Sequence, residues 1–366
     1  MESVQSWAEI GSRIAQTRES AGLSQGEMAS RIGVDRTAVV RMEQGERKVS
    51  ALELFRIAEI LDAPPAHFLT QPPAALVSRR KTLDSPADAA TRNSYRLDIR
   101  LEEHARNAEW LVTEGFLTPP HLDDLPGSTK ADPTALAREA RRVVGIPPGP
   151  LGPMASVAER FGLYLTVVPE PAEGASLLLD SYGVSVISGH SAPGRRRWTA
   201  AHELGHHLLR DEYHSDAGVS ASRDEREQAI DDFAGEFLLP EDEFDSVYRQ
   251  AVGRGLSPRE ALIGVAADYR ISWSSTVSRA RWLGLVGTAA ARRLKADTPV
   301  RGDFLAVRGA EPVPDLETGA TGTAWRQAVL AAWKAGAVSA ARTVELLYGA
   351  LQESELPEQD LEDVGP

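Results

Sequence analysis

His202-Glu203-Leu204-Gly205-His206 is followed, twenty-one residues on, by a carboxylate at Glu227. On a helix, residues four apart share a face, so His202 and His206 can offer two imidazole nitrogens to one cation. Glu203 stands one step round the helix, placed to act on a water at the metal rather than to bind the metal. Two neutral imidazoles and one carboxylate, with a fourth position left for water, make a hydrolytic zinc site rather than a structural one.

The neighbouring sequence supports a helix there. Trp198, Ala201, Leu204, Leu208 and Leu209 recur at helical spacing. Gly205 lowers helix stability but permits close backbone approach. Thr199 is the expected N-cap, after a basic loop Arg195-Arg196-Arg197. Before that loop, Gly183 to Ser188 alternates apolar and small polar residues and reads as a strand. A strand at the sheet edge beside such a helix is where an extended peptide finds main-chain hydrogen bonds.

Downstream, Ile230, Phe233, Ala234, Phe237 and Leu238 form an apolar stripe, predicting a second helix from about Asp224 to Leu239, stopped by Pro240. At about 100° per residue, Glu227 lies roughly 50° from the centre of that stripe, whereas Glu225 lies about 150° away. Glu236 also points outward on this wheel. Glu227 is therefore the carboxylate aimed inward, and the expected third ligand. Asp231, one turn on, can reach the other ring nitrogen of a ligand histidine and fix its tautomer. His207, adjacent to His206 but off the metal face, reads as a packing or surface residue. Tyr213 and His214 admit two readings, an oxyanion donor or an exposed turn.

Residues 1–70 contain four or five short helices. Ser24 caps a helix burying Met28, Ala29 and Ile32, which ends in a turn at Gly33. Asp35 caps the next, with Val39 and Met42 inward. Two short helices around a glycine-bearing turn are a helix-turn-helix, whose second helix enters the major groove. The stretch from Leu23 to Val34, continuing through Met42-Glu43-Gln44-Gly45, resembles the phage-repressor-like helix-turn-helix family. By position, Arg36, Thr37 and Arg41 would reach base edges of a double-stranded operator. Gln25, Arg47 and Lys48 would lie near phosphates. Residues 1–70 nevertheless hold eight Arg/Lys against ten Asp/Glu. Either the basic side chains cluster on the groove side, or the module grips protein rather than DNA.

The full chain of 366 residues carries a net charge of −13 and no cysteine. That balance argues against non-specific nucleic-acid or membrane binding. No apolar run reaches membrane-spanning length and no leader is evident, so a soluble, cytoplasmic protein without disulfides or thiolate ligands is expected. The expected architecture is multidomain and mostly α. It comprises an all-α helix-turn-helix bundle (1–70), a Pro-rich linker with a long spacer helix from about Asn93 to Phe116 (71–133), a central α+β zincin-like domain with a small sheet (134–290), and a helical C-terminal region (291–366). In that last region Asp303 to Thr323 reads as loop, Trp325 to Leu351 as helix, and the acidic end from Glu353 as disordered.

The strings Arg197 to His206 and Glu227 to Pro240 resemble the ImmA/IrrE family of metallopeptidases, over about residues 134–285. The resemblance implies a zincin with one zinc ion per chain, His202, His206 and Glu227 as ligands, and Glu203 as general base. It also implies a helix-turn-helix repressor as substrate, cut to relieve repression under stress, and relatives that carry their own repressor-like module. Family members usually have Asn where this chain has Asp231, which resembles the thermolysin-like spacing of a ligand Glu and an Asp four on. The alternative of a different class is a DNA-binding regulator whose zincin domain serves as sensor or oligomerisation module, a homodimer included, with little hydrolysis. A toxin–antitoxin role has only the helical C-terminal segment behind it.

Overall fold

In the computed structural model, residues 4–72, 88–121, 124–127, 132–146, 148–210 and 220–360 are described, the last range without the side chains of 220–224. Three strands form the sheet: β1 (Leu163–Val168), β2 (Gly174–Leu178) and β3 (Gly183–Ser188). Their spatial order is β1-β3-β2. β1 runs parallel to β3 from Leu163↔Gly183 to Val168↔Ser188, and β2 runs antiparallel to it from Gly174↔Ile187 to Leu178↔Gly183. β3 is therefore the central strand and has no open edge, contrary to the expectation drawn from its place before the ligand helix. Pairing on both sides and covered faces bury all six of its residues. The edge beside the ligand helix belongs to β2.

Side chains alternate across the sheet with a period of two. Leu163, Leu165, Val167 and Ile187 enter a core shared with the ligand helices. Tyr164, Val168, Ala175, Leu177, Val184 and Val186 enter a second core on the opposite face. That second core is closed by Leu97, Leu101, Ala105, Ala108 and Leu111 of a long helix, Ala89–Thr113, and by Trp325 of the helix Thr323–Lys334. Glu159 fixes this C-terminal helix by accepting the Ala324 and Trp325 N–H groups at 2.8 Å each, meeting donors that a helix start leaves unpaired.

The helix-turn-helix bundle contains Trp7–Ser20, Gln25–Ile32, Arg36–Glu43, Ala51–Leu61 and Pro65–Leu69. Ser24 and Ser50 form capping boxes with Glu27 and Glu53, and Gly33 closes its helix in the left-handed region at φ 75°. Arg18 holds Glu43 at 2.6 Å, while Glu43 also accepts from Gln25 at 2.8 Å, so the two helices of the motif are tied at a set angle. Gly11 faces the Met42 and Glu43 carbonyls so closely that no side chain fits there.

The long helix does not act as a spacer. Its Tyr95 and Ile99 complete the core of the helix-turn-helix bundle, interleaved with Leu97 and Leu101, which enter the core under the sheet. Glu102, fully buried, contacts His67 at 3.1 Å, Arg13 at 3.5 Å and Arg106 at 2.6 Å. Arg100 bridges Asp62 of the bundle (2.7 Å) to Glu170, between β1 and β2 (2.6 Å). The spacing of apolar residues predicted the helix but could not show that it is buried on two sides.

Other differences lie in the C-terminal half. Arg301–Arg308 is helical where loop was expected, and the expected single helix after Trp325 is two, Thr323–Lys334 and Ala340–Leu346, separated at Gly336 with φ 69°. Residues 353–360 of the acidic end, expected to be disordered, are held in place: Trp333 Nε1 donates to the Pro357 carbonyl (2.7 Å) and Gln359 donates to that of Trp333 (2.9 Å); the rest of that expectation lies outside the described residues. Among the described residues, no helix is long and apolar enough to cross a membrane.

Two buried histidines make the fold acid-sensitive. His104 donates from Nε2 to the Tyr164 carbonyl (3.0 Å) and accepts from the Tyr348 hydroxyl (2.6 Å); His207 donates to the Phe161 carbonyl at 2.8 Å. Burial pushes both down from the ordinary 6.5 to about 4, against the pull of those carbonyls. The unfolded chain therefore takes up these protons first. The stability they contribute is complete above about pH 6.5 and is lost as pH falls towards 4. Thermal melts should show Tm dropping across that window, and His104→Gln should flatten part of the drop. A Tm unchanged between pH 7 and 4.5 would show that these rings are not held neutral.

Candidate metal centre

The first ligand helix is Pro193–Leu209. It starts earlier than expected: Pro193 occupies the first turn, so Thr199 lies inside the helix and the Arg195-Arg196-Arg197 run is helical, not loop. Arg197 is almost fully buried and pairs with Asp315, while also donating to the Gly152 carbonyl at 3.0 Å. The second ligand helix is Ser220–Leu238, followed by Pro240. Gly205 faces this second helix, where an added Cβ would stand 3.0 Å from Ile230 Cγ2 and 3.1 Å from Phe233 Cδ1. Close approach was expected of this glycine beside the metal; the approach it permits is helix to helix.

That crossing brings His202, His206 and Glu227 together, with one ligand atom from each lying within 4.8 Å of the others. His206 Nε2 is 3.2 Å from His202 Nε2, which is 3.3 Å from Glu227 Oε2. Zinc bonds of roughly 2.0–2.2 Å in a tetrahedron imply ligand separations of about 3.3–3.6 Å, so the donor set fits such an ion in both chemistry and spacing. Glu225 is exposed and takes no part in the cluster. Glu236, placed outward by the helical wheel, is instead buried and pairs with Arg279 and Arg138. The second ligand helix is covered on two sides, and a single apolar stripe reveals only one of them.

Asp231 accepts from His202 Nδ1 at 3.0 Å, the position expected of it. This bond puts the proton on Nδ1 and leaves Nε2 facing the cluster. Burial opposes a charge on His202, yet the Asp231 and Glu227 carboxylates outweigh it and lift the ring to about 10. The cluster thus favours positive charge at this point. Burial likewise works against ionised Asp231, but His202 prevails and holds it below the usual carboxylate range. Trp198 Nε1 adds a second donor to Asp231 at 3.3 Å. Its spacing of four from His202 was the available signal for that contact.

Glu203 is buried, and its Oε2 accepts from the Ser176 hydroxyl of β2 at 2.6 Å. Ser176 went unnoticed in the sequence, although it alternates with Ala175 and Leu177 and so must face away from their core. His207 packs as expected, and a Cβ on Gly183 would collide with its ring. Tyr213 and His214 lie outside the described residues.

In the helix-turn-helix, Arg36, Thr37, Arg41 and Lys48 are exposed. Gln25 is drawn inward to Glu43, and Arg47 pairs with Glu53 at 2.7 Å, so these two are engaged within the protein rather than turned fully to solvent.

Metal analysis tests the cluster. Wild-type protein should hold one divalent ion per chain, and His202→Ala and Glu227→Ala should lose it while Glu225→Ala does not. Asp231→Asn should weaken affinity roughly 10- to 100-fold by loosening His202. Full metal retention in Glu227→Ala would remove that residue from the cluster.

Residues 158–280 match the family model for the IrrE N-terminal-like domain, and residues 14–68 match a helix-turn-helix model. Among solved structures, the restriction-modification controller protein C.AhdI from Aeromonas hydrophila is similar at 34% identity, over 17% of this chain and 94% of that one, with a TM-score of 0.17. No curated protein matches the chain. The metal cluster falls wholly within the first matched segment, and this chain therefore joins a helix-turn-helix domain to an IrrE N-terminal-like domain of metallopeptidase type.

Proposed function

We propose that the protein is a cytoplasmic zinc endopeptidase carried on a DNA-binding module, acting on a repressor of the helix-turn-helix type in response to stress. One observation carries this reading: His202, His206 and Glu227 converge beside a buried Glu203, on the helix flanking β2. In this reading residues 1–70 read DNA, 71–133 join the modules, 134–290 hydrolyse, and 291–366 cover the sheet.

When bound, zinc supplies a Lewis acid and an acidified water. Glu203, buried beside the cluster, would accept a proton from the attacking water and pass it to the leaving amine. Asp231 keeps His202 in the tautomer that presents Nε2, and the outer edge of β2 supplies main-chain groups for an extended peptide.

The test is cleavage of candidate helix-turn-helix repressors with added zinc, with chelator, and with Glu203→Gln. Cleavage should require zinc and vanish in Glu203→Gln, which keeps shape and metal but cannot accept the proton. Wild-type cleavage by Glu203→Gln would overturn the mechanism. The buried contacts of Glu102 favour one second reading, a metal-sensing regulator, since they join the bundle to the helix beneath the sheet. That reading gains if metal alters DNA affinity and no repressor is cut.

For the DNA module, Arg36→Ala and Arg41→Ala should each weaken operator binding by about 1–3 kcal/mol if the contact is bidentate to guanine. Binding should fall steeply with salt through counterion release, and a homodimer would suit a two-fold operator. Gel-shift titrations across salt measure both. No operator binding, together with co-purification of a helix-turn-helix partner, would make the module a recruiter of protein.

A further inference from the structure

β2 meets β3 through the Glu173 carbonyl, which accepts from Ser188 at 2.9 Å, and the Leu179 N–H, which donates to Tyr182 at 2.8 Å. In an antiparallel ladder such pairs recur at every second residue. Ala175 and Leu177 therefore direct their main chain to β3, whereas Gly174, Ser176 and Leu178 direct theirs to the outer edge. Among the described residues no strand pairs with that edge. The side chains divide differently: Ala175 and Leu177 enter the second core, and Ser176 looks at the first ligand helix.

There its hydroxyl donates to Glu203 Oε2 at 2.6 Å, with Ser176 5% and Glu203 4% exposed. Gly174 flanks the other carboxylate oxygen. A Cβ at Gly174 would stand 2.9 Å from Glu203 Oε1 and 2.6 Å from Thr199 Cγ2. One oxygen is thus held by a buried, charge-assisted hydrogen bond, and the other lies where only a glycine leaves room.

We propose that Ser176 is the positioning residue of the general base: its hydroxyl fixes the Glu203 carboxylate, and Gly174 leaves the space that the fixed carboxylate needs. A glutamate side chain has three rotatable bonds, and a base is effective only when its oxygen is held at the reacting water. Ser176 stands on the strand whose outer edge would bind peptide, so one residue sets the base relative to both helix and substrate. The inference rests on the metallopeptidase reading above.

Its test uses full-length protein loaded with Co2+, followed by visible absorption, with acetohydroxamate as probe. The head group of this probe chelates the ion and hydrogen-bonds the neighbouring carboxylate, so its affinity reads the carboxylate's placement without any turnover. Ser176→Ala should retain the metal but bind acetohydroxamate roughly ten- to hundredfold more weakly, the range expected for one hydrogen bond to a charged group. Ser176→Thr, which keeps the hydroxyl, should recover the affinity, a rescue that a merely structural role would not require. Gly174→Ala should weaken the probe with Ser176 intact. Metal uptake with unchanged probe affinity in Ser176→Ala overturns this inference alone. Wild-type protein that takes up no Co2+ overturns the metallopeptidase reading and this inference together.

Discussion

The contact of Gly205 with Ile230 and Phe233 is the constraint on which the metal cluster depends. At 3.0–3.1 Å from a hypothetical Cβ, the two ligand helices are nearly as close as their backbones and apolar side chains permit. Any residue but glycine would require the Ile230 and Phe233 side chains to give way by some tenths of an ångström, on the helix that also carries Glu227. The apolar stripe Ile230, Phe233, Phe237 meets Leu204 and Leu208 in one core, so hydrophobic burial drives the crossing and glycine sets its distance. The cost of glycine within a helix, about 1 kcal/mol against alanine, is small beside that packing.

His206 and His207 are adjacent in the chain and opposite in role. A step of about 100° turns one ring into the cluster and the other beneath the sheet against Phe161. His202, the least buried of the three, gathers two carboxylates, while His207 meets only a carbonyl and is pushed down to about 4. Environment divides three imidazoles of one helix into a pair facing the carboxylate cluster and a structural one, through what the neighbouring elements place beside them.

Buried charge recurs where elements distant in sequence meet. Glu102 joins the helix-turn-helix bundle to the long helix, Arg197 joins the first ligand helix to Asp315, and Glu236 joins the second to Arg279. Losing one partner of such a group strands the other in low dielectric, at about 3–5 kcal/mol, so these contacts penalise wrong docking more than they add stability. Arg100 adds a partly exposed bridge, from Asp62 of the helix-turn-helix bundle to Glu170 in the connection between β1 and β2.

What the sequence determined by itself was local and periodic. The i, i+4 spacing of His202 and His206, the inward angle of Glu227, the caps at Ser24 and Asp35, and the strand Gly183 to Ser188 are all set by residues within a few turns of one another. The helix-turn-helix and the metallopeptidase-type domain were legible for that reason. Tertiary structure alone decided which strand lies at the edge, that the long helix is buried on both sides, that Glu236 turns inward, and that Ser176 meets Glu203. Each of these depends on contacts between residues far apart in the chain, and the period of a helix or strand defines a face without naming what will cover it.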